Sequence, residues 1–184
     1  NIQRLLSKYA GAIRFVQASI MDMNTLLEAF SGATSVFHLA ALISVPESWL
    51  KQTEYVSINT IGTLNVLEAC RQTGVKNAVL SSSAAIYGDS PVIPKLENML
   101  PEPKSPYAVT KLDGEYYFQM YRQQHGLNAT SLRYFNVFGP RQDPASQYAA
   151  AVPIFIDRAV KNQDITIFGD GTQTRDFIYV QDVV

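Results

Sequence analysis

The sequence predicts an α/β fold, a parallel sheet flanked by helices, on three observations. Short apolar runs at Ala12–Gln17, Ser35–Ala41, Ala78–Ser83 and Ala129–Arg133 alternate with longer segments of helical periodicity. Strands separated by helices of this length pair in parallel through right-handed crossovers. The third run delivers Ser81, Ser82 and Ser83 at its carboxyl end, where open α/β sheets collect their ligands.

Taken in order, Ile2, Leu5, Leu6 and Tyr9 have helical spacing, and the chain opens at Asn1 within that pattern, which points to a fragment or a missing beginning. Ala12–Gln17 reads as a short strand. Asp22 is the expected N-cap of a helix carrying Leu26, Leu27, Ala29 and Phe30, which Gly32 ends. Ser35–Ala41 is the next strand, closing in small residues where a backbone can approach a ligand, and His38 within it reads as structural. A long helix follows over Glu54–Thr73, apolar at Val56, Ile61, Leu64, Val66, Leu67 and Ala69, with Gly74 as its stop. After the serine-tipped strand and a proline-studded loop, a helix over Ser105–His125 carries Tyr116, Phe118, Met120 and Tyr121, read as core or subunit interface. Gly126 breaks it before the strand Ala129–Arg133. The tail predicts a helix over Tyr148–Lys161, a short strand over Ile165–Phe168, the turn Gly169-Asp170-Gly171 and the start of a helix at Asp182-Val183.

Bulk properties narrow the function. The 184 residues are 47% hydrophobic and 17% charged, sufficient for a sizeable core and too apolar for extended disorder. A net charge of −1 gives no electrostatic reason to expect nucleic acid or an anionic membrane as partner. The single cysteine, Cys70, excludes an internal disulfide and any cysteine-based zinc site, no metal ligands are expected, and a reducing compartment, the cytoplasm, fits. No apolar run approaches the ~18 residues of a membrane span.

The chemistry concentrates between Ser81 and Lys111. Tyr107 and Lys111 are four apart on a predicted helix and so share one face, which places an ammonium near a phenol. A free phenol titrates near pH ~10, and a neighbouring cation favours its ionised form. A serine hydroxyl on the facing strand end can bridge that phenol to a substrate hydroxyl. The pair alone is weak evidence, since roughly 0.4 Tyr-x-x-x-Lys pairs arise by chance in this composition. The order of an apolar strand, Ser81-Ser82-Ser83, Tyr87-Gly88, a loop with Pro91, Pro94, Pro101 and Pro103, and Ser105-Pro106-Tyr107 opening the helix of Lys111 is far more specific.

In these segments, together with VFHLAA, the Asn59 helix with Gly62-Thr63, and LRYFNVFGPRQ, the chain resembles the extended short-chain dehydrogenase/reductase family, and within it the NAD-dependent epimerases and dehydratases of nucleotide sugars. The resemblance implies a Rossmann-like sheet, incomplete at the N-terminus, over residues 1–140, and the start of a small nucleotide-sugar-binding lobe over 141–184. It implies NAD as cofactor, with Ser83, Tyr107 and Lys111 catalytic. Ser19, Ile20, Leu39, Ala40, Ala41, Asn59, Ser81, Tyr107, Lys111 and Tyr134 would line the cofactor. Ser82, Ser83, Asn136, Ala150, Phe168 and Arg175 would hold the substrate, Arg175 at the diphosphate and Phe168 below a uracil-type base.

The activity so implied is 4-epimerisation of a UDP-hexose, N-acetylated sugars included, through a transient 4-keto sugar. Where the dehydratases carry a Thr-Asp-Glu run this chain has Ser83-Ala84-Ala85, which disfavours dehydration. A decarboxylase or reductase of the same family, and a binding module without catalysis, stay open at this stage. A homodimer is implied through the Asn59 and Tyr107 helices. Two departures stand out: no G-x-x-G-x-x-G turn occurs in the chain, and Ser19-Ile20 stands where the family places an acidic residue and an apolar one against adenine.

Overall fold

The structure, a computed structural model, describes residues 2–145, 151–167 and 169–184. It divides into two compact units, Gly11–Arg133 and a second made of Asn1–Ala10 with Tyr134–Val184.

The larger unit is a parallel sheet flanked by helices. Strands β1 (Ser35–His38), β2 (Asn77–Ser83) and β3 (Asn128–Tyr134, which leaves the unit after Arg133) lie in the order β1-β2-β3, and β1 pairs β2 in parallel with His38 opposite Leu80. Helix α1 (Ile2–Lys8) belongs to the smaller unit, while α2 (Met23–Phe30) starts where expected, the Asp22 carboxylate accepting from the Thr25 amide and hydroxyl. After β1 come α3 (Val45–Leu50), α4 (Gln52–Tyr55), a π-helical stretch Val56–Ile61 and α5 (Gly62–Thr73). Gly74, at φ 75°, closes α5 in the left-handed conformation that costs glycine nothing.

Helix α6 (Pro106–His125) begins at Ser105, whose side chain accepts from the Ala108 amide. Its approach to β2 depends on Gly114. A Cβ there would meet Leu80 Cδ2 at 3.0 Å. Leu26, Val66, Leu67, Cys70, Ala78, Leu80, Phe118 and Leu127 form the core that welds α2, α5, β2 and α6 together. Alternate residues of β2 are buried, Ala78, Leu80 and Ser82 pointing one way, as the period of two requires.

The smaller unit holds β4 (Asn136–Phe138) paired in parallel with β5 (Phe177–Tyr179), and the helices α7 (Ala151–Val160) and α8 (Val180–Val183).

Several expectations are corrected. Residues 12–17 are irregular and exposed at Ile13, Phe15 and Val16, and form no strand, because no ladder partner lies beside them among the described residues. The strand at Ser35 ends at His38, and residues 39–44 are irregular. The helix expected at Glu54 begins earlier, at Gln52, and widens into the π turn around Asn59. Residues 165–167 are irregular, while Phe168 and residues 148–150 fall outside the described residues. No described helix is long and apolar enough to cross a membrane.

Candidate active site

The carboxyl end of β2 and the first turns of α6 meet as the serine, tyrosine and lysine pattern requires. The Ser83 side chain lies beside the Tyr107 phenol, close enough to lower its pKa, and its Oγ accepts from the Ala85 amide at 3.1 Å, capping the short 3₁₀ turn Ala84–Tyr87. Lys111 is buried, with its Nζ donating to the Ser81 carbonyl at 2.8 Å and lying 5.9 Å from the centroid of the Tyr107 ring. A hydroxyl, a phenol and an ammonium thus converge at one strand end.

Electrostatics modifies the expectation drawn from spacing. Burial raises the Tyr107 pKa above that of a free phenol, and the neighbouring Ser83 side chain opposes this only in part. Lys111, whose ammonium is directed at the Ser81 carbonyl, is itself lowered to about 8 by burial. Spacing alone predicts a depressed phenol, whereas burial here acts in the opposite direction and raises it. The phenol is therefore mostly protonated at neutral pH, and its ionised fraction is the form able to accept a proton.

A second layer braces this arrangement. The Asn59 amide clamps the backbone of Leu42, accepting from its N–H at 2.8 Å and donating to its carbonyl at 2.9 Å. It also donates to Thr110 Oγ1 at 3.0 Å, and Thr110 donates its own proton to the Tyr107 carbonyl at 2.8 Å. Asn59 is 3% exposed, so its amide faces inward, and the π turn swings it there. Thr63 donates its hydroxyl proton to the Asn59 carbonyl at 2.5 Å, so His38 Nε2 is the donor in its 2.9 Å bond to Thr63, and His38 Nδ1 keeps its lone pair. Burial, and then the charge of Lys111, lower the His38 pKa to about 4.

The other expected residues are distributed as follows. Leu39 and Ala40 are exposed and Ala41 half-buried, immediately beyond β1 and next to the Leu42 clamp. Ile20 lies against Gly62, where a Cβ would come within 2.5 Å of Ile20 Cδ1, and its carbonyl accepts from Asn65 at 3.1 Å; Ser19 caps the turn through the Met21 amide. Ser82 is buried and donates to Glu115 at 2.5 Å, because strand alternation turns it to the α6 side. In the smaller unit, Asn136 donates its amide to the Asp176 carbonyl at 2.8 Å, Arg175 is exposed with Nη1 on the Thr174 carbonyl, and Tyr134 is half-buried at the end of β3. Ala150 and Phe168 fall outside the described residues.

Thr110, Glu115 and Arg133 were not singled out from the sequence. Glu115 continues the four-residue spacing of Tyr107 and Lys111, and that is the signal that marks it.

A Rossmann-like α/β unit with a buried serine, tyrosine and lysine at the carboxyl end of its sheet defines a class of proton-transfer proteins. The comparisons specify it further: residues 2–184 match the NAD dependent epimerase/dehydratase family. The chain belongs to that family. It is 41% identical over 173 residues to the UDP-glucose 4-epimerase of Mycolicibacterium smegmatis, covering 92% of this chain and 55% of that protein. The UDP-N-acetylglucosamine 4-epimerase of Methanobrevibacter ruminantium M1, solved with UDP-N-acetylmuramic acid, superposes with a TM-score of 0.90 at 40% identity, over 94% of this chain and 56% of that one. The Thermus thermophilus UDP-glucose 4-epimerase, solved with NAD, gives a TM-score of 0.85 at 39% identity, over 96% and 60% respectively. The chain therefore spans little more than half the length of these relatives.

Proposed function

We propose that the protein is an NAD-dependent UDP-hexose 4-epimerase. The observation that carries this reading is the Ser83–Tyr107–Lys111 cluster on the sheet of a chain whose relatives are named as 4-epimerases.

The residues present fit the cofactor. Lys111 has three N–H donors and uses one on the Ser81 carbonyl, which leaves two for the hydroxyls of a nicotinamide ribose. The exposed residues Leu39 and Ala40, with Ala41, give a dinucleotide a close approach to the backbone, which the Asn59 clamp on Leu42 holds in place. Ser81, Tyr134, Ser19 and Ile20 are proposed as further contacts. Bound there, NAD would supply a reversible hydride acceptor for C4 of the sugar.

The chain's own residues handle the proton. Tyr107 acts from its ionised fraction, its own proton having passed to solvent: the phenolate takes the proton of the C4 hydroxyl, and the neighbouring Ser83 hydroxyl favours that ionised form. Two electrons leave with hydrogen from C4 and the proton leaves from its oxygen, giving a 4-keto sugar. After the sugar turns, Tyr107 returns the proton as hydrogen is restored to the opposite face of C4. Arg175 suits the diphosphate, since its guanidinium retains donors beyond the one on Thr174. Asn136, Ala150 and Phe168 are proposed at the sugar and base. Ser82 is not, because its hydroxyl is committed to Glu115.

A second copy is the proposed partner. Val56 and Ile61 on the π stretch and Val109, Tyr116 and Met120 on α6 are each 44–53% exposed, an apolar face for a homodimer. The free, buried thiol of Cys70 fits a reducing compartment, and we place the enzyme in the cytoplasm.

The test is a Tyr107→Phe variant. It should still bind NAD and UDP-sugar while turnover falls about 10²- to 10⁴-fold. Unchanged turnover removes Tyr107 from the mechanism.

A further inference from the structure

Three successive turns of α6 grip three successive residues of β2. Tyr107 lies beside the Ser83 side chain, Lys111 donates to the Ser81 carbonyl and Glu115 accepts from the Ser82 hydroxyl. The first two contacts belong to the proton-transfer group. The third has no part in the proposed chemistry, yet it is the most heavily built of the three.

The Glu115 carboxylate accepts from Ser82 at 2.5 Å and is held by Arg133, whose Nη2 donates at 2.8 Å and whose Nε donates at 3.0 and 3.2 Å. Both side chains are largely buried, 12% and 19% exposed. Arg133 does not stop there: Nη1 donates to the Tyr87 phenol oxygen and to the Glu97 carbonyl, each at 3.1 Å, and the guanidinium lies 5.0 Å from the centroid of the Tyr87 ring. Ser83 is thus bracketed, with Ser82 tied on one side and Tyr87, four residues on, tied on the other. A single ion pair connects β2, α6, β3 and the loop after Ser83.

Energetically such a pair is an odd fastening. The attraction between two buried charges is largely offset by their lost hydration, so the pair contributes little net stability compared with an apolar pair of similar volume. What it supplies is direction: a forked guanidinium against a carboxylate holds one orientation, whereas apolar side chains slide. Gly114, one residue before Glu115, brings α6 close enough to β2 for that orientation to fix the register of helix against strand.

We propose that Glu115 and Arg133 are positioning residues for the proton transfer, holding α6 in the register that sets the Ser83 hydroxyl against the Tyr107 phenol. The proposal rests on the epimerase reading of that site. Without Arg133 the Glu115 carboxylate is buried and unpaired, and the cation one turn away on the same helix is Lys111. The helix then has reason to rotate and the lysine to leave the Ser81 carbonyl.

The test uses the active protein with Arg133→Met, Arg133→Lys and the double replacement Glu115→Leu/Arg133→Met, read by steady-state kinetics, thermal unfolding and crystal structures. Arg133→Met should lower kcat about tenfold or more with KM held within about twofold, as expected when reacting groups are misplaced but substrate binding is spared. Arg133→Lys, which keeps the charge without the fork, should recover part of kcat. The double variant should unfold at or above the wild-type temperature and yet remain slow, which a purely structural pair would not produce. Wild-type kcat in Arg133→Met, or in the double variant, overturns the proposal. If the unaltered protein turns over no UDP-hexose, the epimerase reading falls, and the clamp is then judged by the double variant's structure: a Tyr107 phenol moved away from the Ser83 side chain supports it and one left in place overturns it.

Discussion

Replacing Asn59 by alanine removes one side chain that ties the Leu42 backbone to Thr110, and the cost can be counted. Three hydrogen bonds disappear, two to the Leu42 backbone and one to Thr110, at 2.8, 2.9 and 3.0 Å. At about 1 kcal/mol for each bond whose partner is left partly buried, the loss is about 3 kcal/mol. An aspartate should be no better at neutral pH. It could still accept from the Leu42 N–H, but its second oxygen would face the Leu42 carbonyl and a Thr110 hydroxyl whose proton is already given to the Tyr107 carbonyl. Urea unfolding measures both variants directly, a fall in midpoint at unchanged slope reporting the stability lost. A loss below about 1 kcal/mol for Asn59→Ala, or a stable Asn59→Asp, would refute the inward clamp, because a solvated asparagine on a helix face contributes almost nothing.

Two further predictions concern charge. His38 has its pKa lowered to about 4 from an ordinary 6.5. Between those values the unfolded chain binds a proton that the folded chain does not, so stability is full above pH 6.5 and falls as the pH drops toward 4, by up to about 3 kcal/mol. Unfolding midpoints across that window should drop steeply in the wild type and less in His38→Asn; parallel curves would contradict the buried neutral imidazole. Lys111, lowered to about 8 from 10.5, carries the opposite consequence for mutation. Its burial penalty is complete below pH 8 and relieved between 8 and 10.5. Lys111→Met should therefore unfold at a higher temperature at pH 7, by about 1–2 kcal/mol after loss of the Ser81 hydrogen bond, while turnover is abolished. A destabilised Lys111→Met would show that the ammonium holds the fold together.

Much of this site was legible in the sequence because short-range rules govern it. The cap at Asp22, the helix start at Ser105, the stops at Gly74 and Gly126, and the placing of Tyr107 and Lys111 on one helical face all depend on residues a few positions apart. What was illegible depends on partners far along the chain. Residues 12–17 have a strand's composition, but a strand exists only with a ladder beside it. The π turn at Asn59 arises because its amide reaches Leu42 and Thr110 together, 17 and 51 residues away, which helical periodicity cannot express. Ser82, expected at the sugar, is turned by alternation on β2 toward Glu115 instead. The sign of the Tyr107 shift was missed for a similar reason: spacing reveals a neighbouring cation, whereas burial is set by the whole fold.

On the proposed function, Tyr107, Ser83 and Lys111 serve a reversible oxidation at C4 rather than a net one. The direct measurement is proton NMR of UDP-galactose, and separately of UDP-N-acetylgalactosamine, incubated with the protein and NAD at a level far below that of the sugar. Epimerisation predicts that one of these pairs relaxes to a fixed mixture of gluco and galacto forms over many turnovers, with no net NADH formed. An unchanged sugar, or a sugar oxidised in step with NADH, would contradict the account.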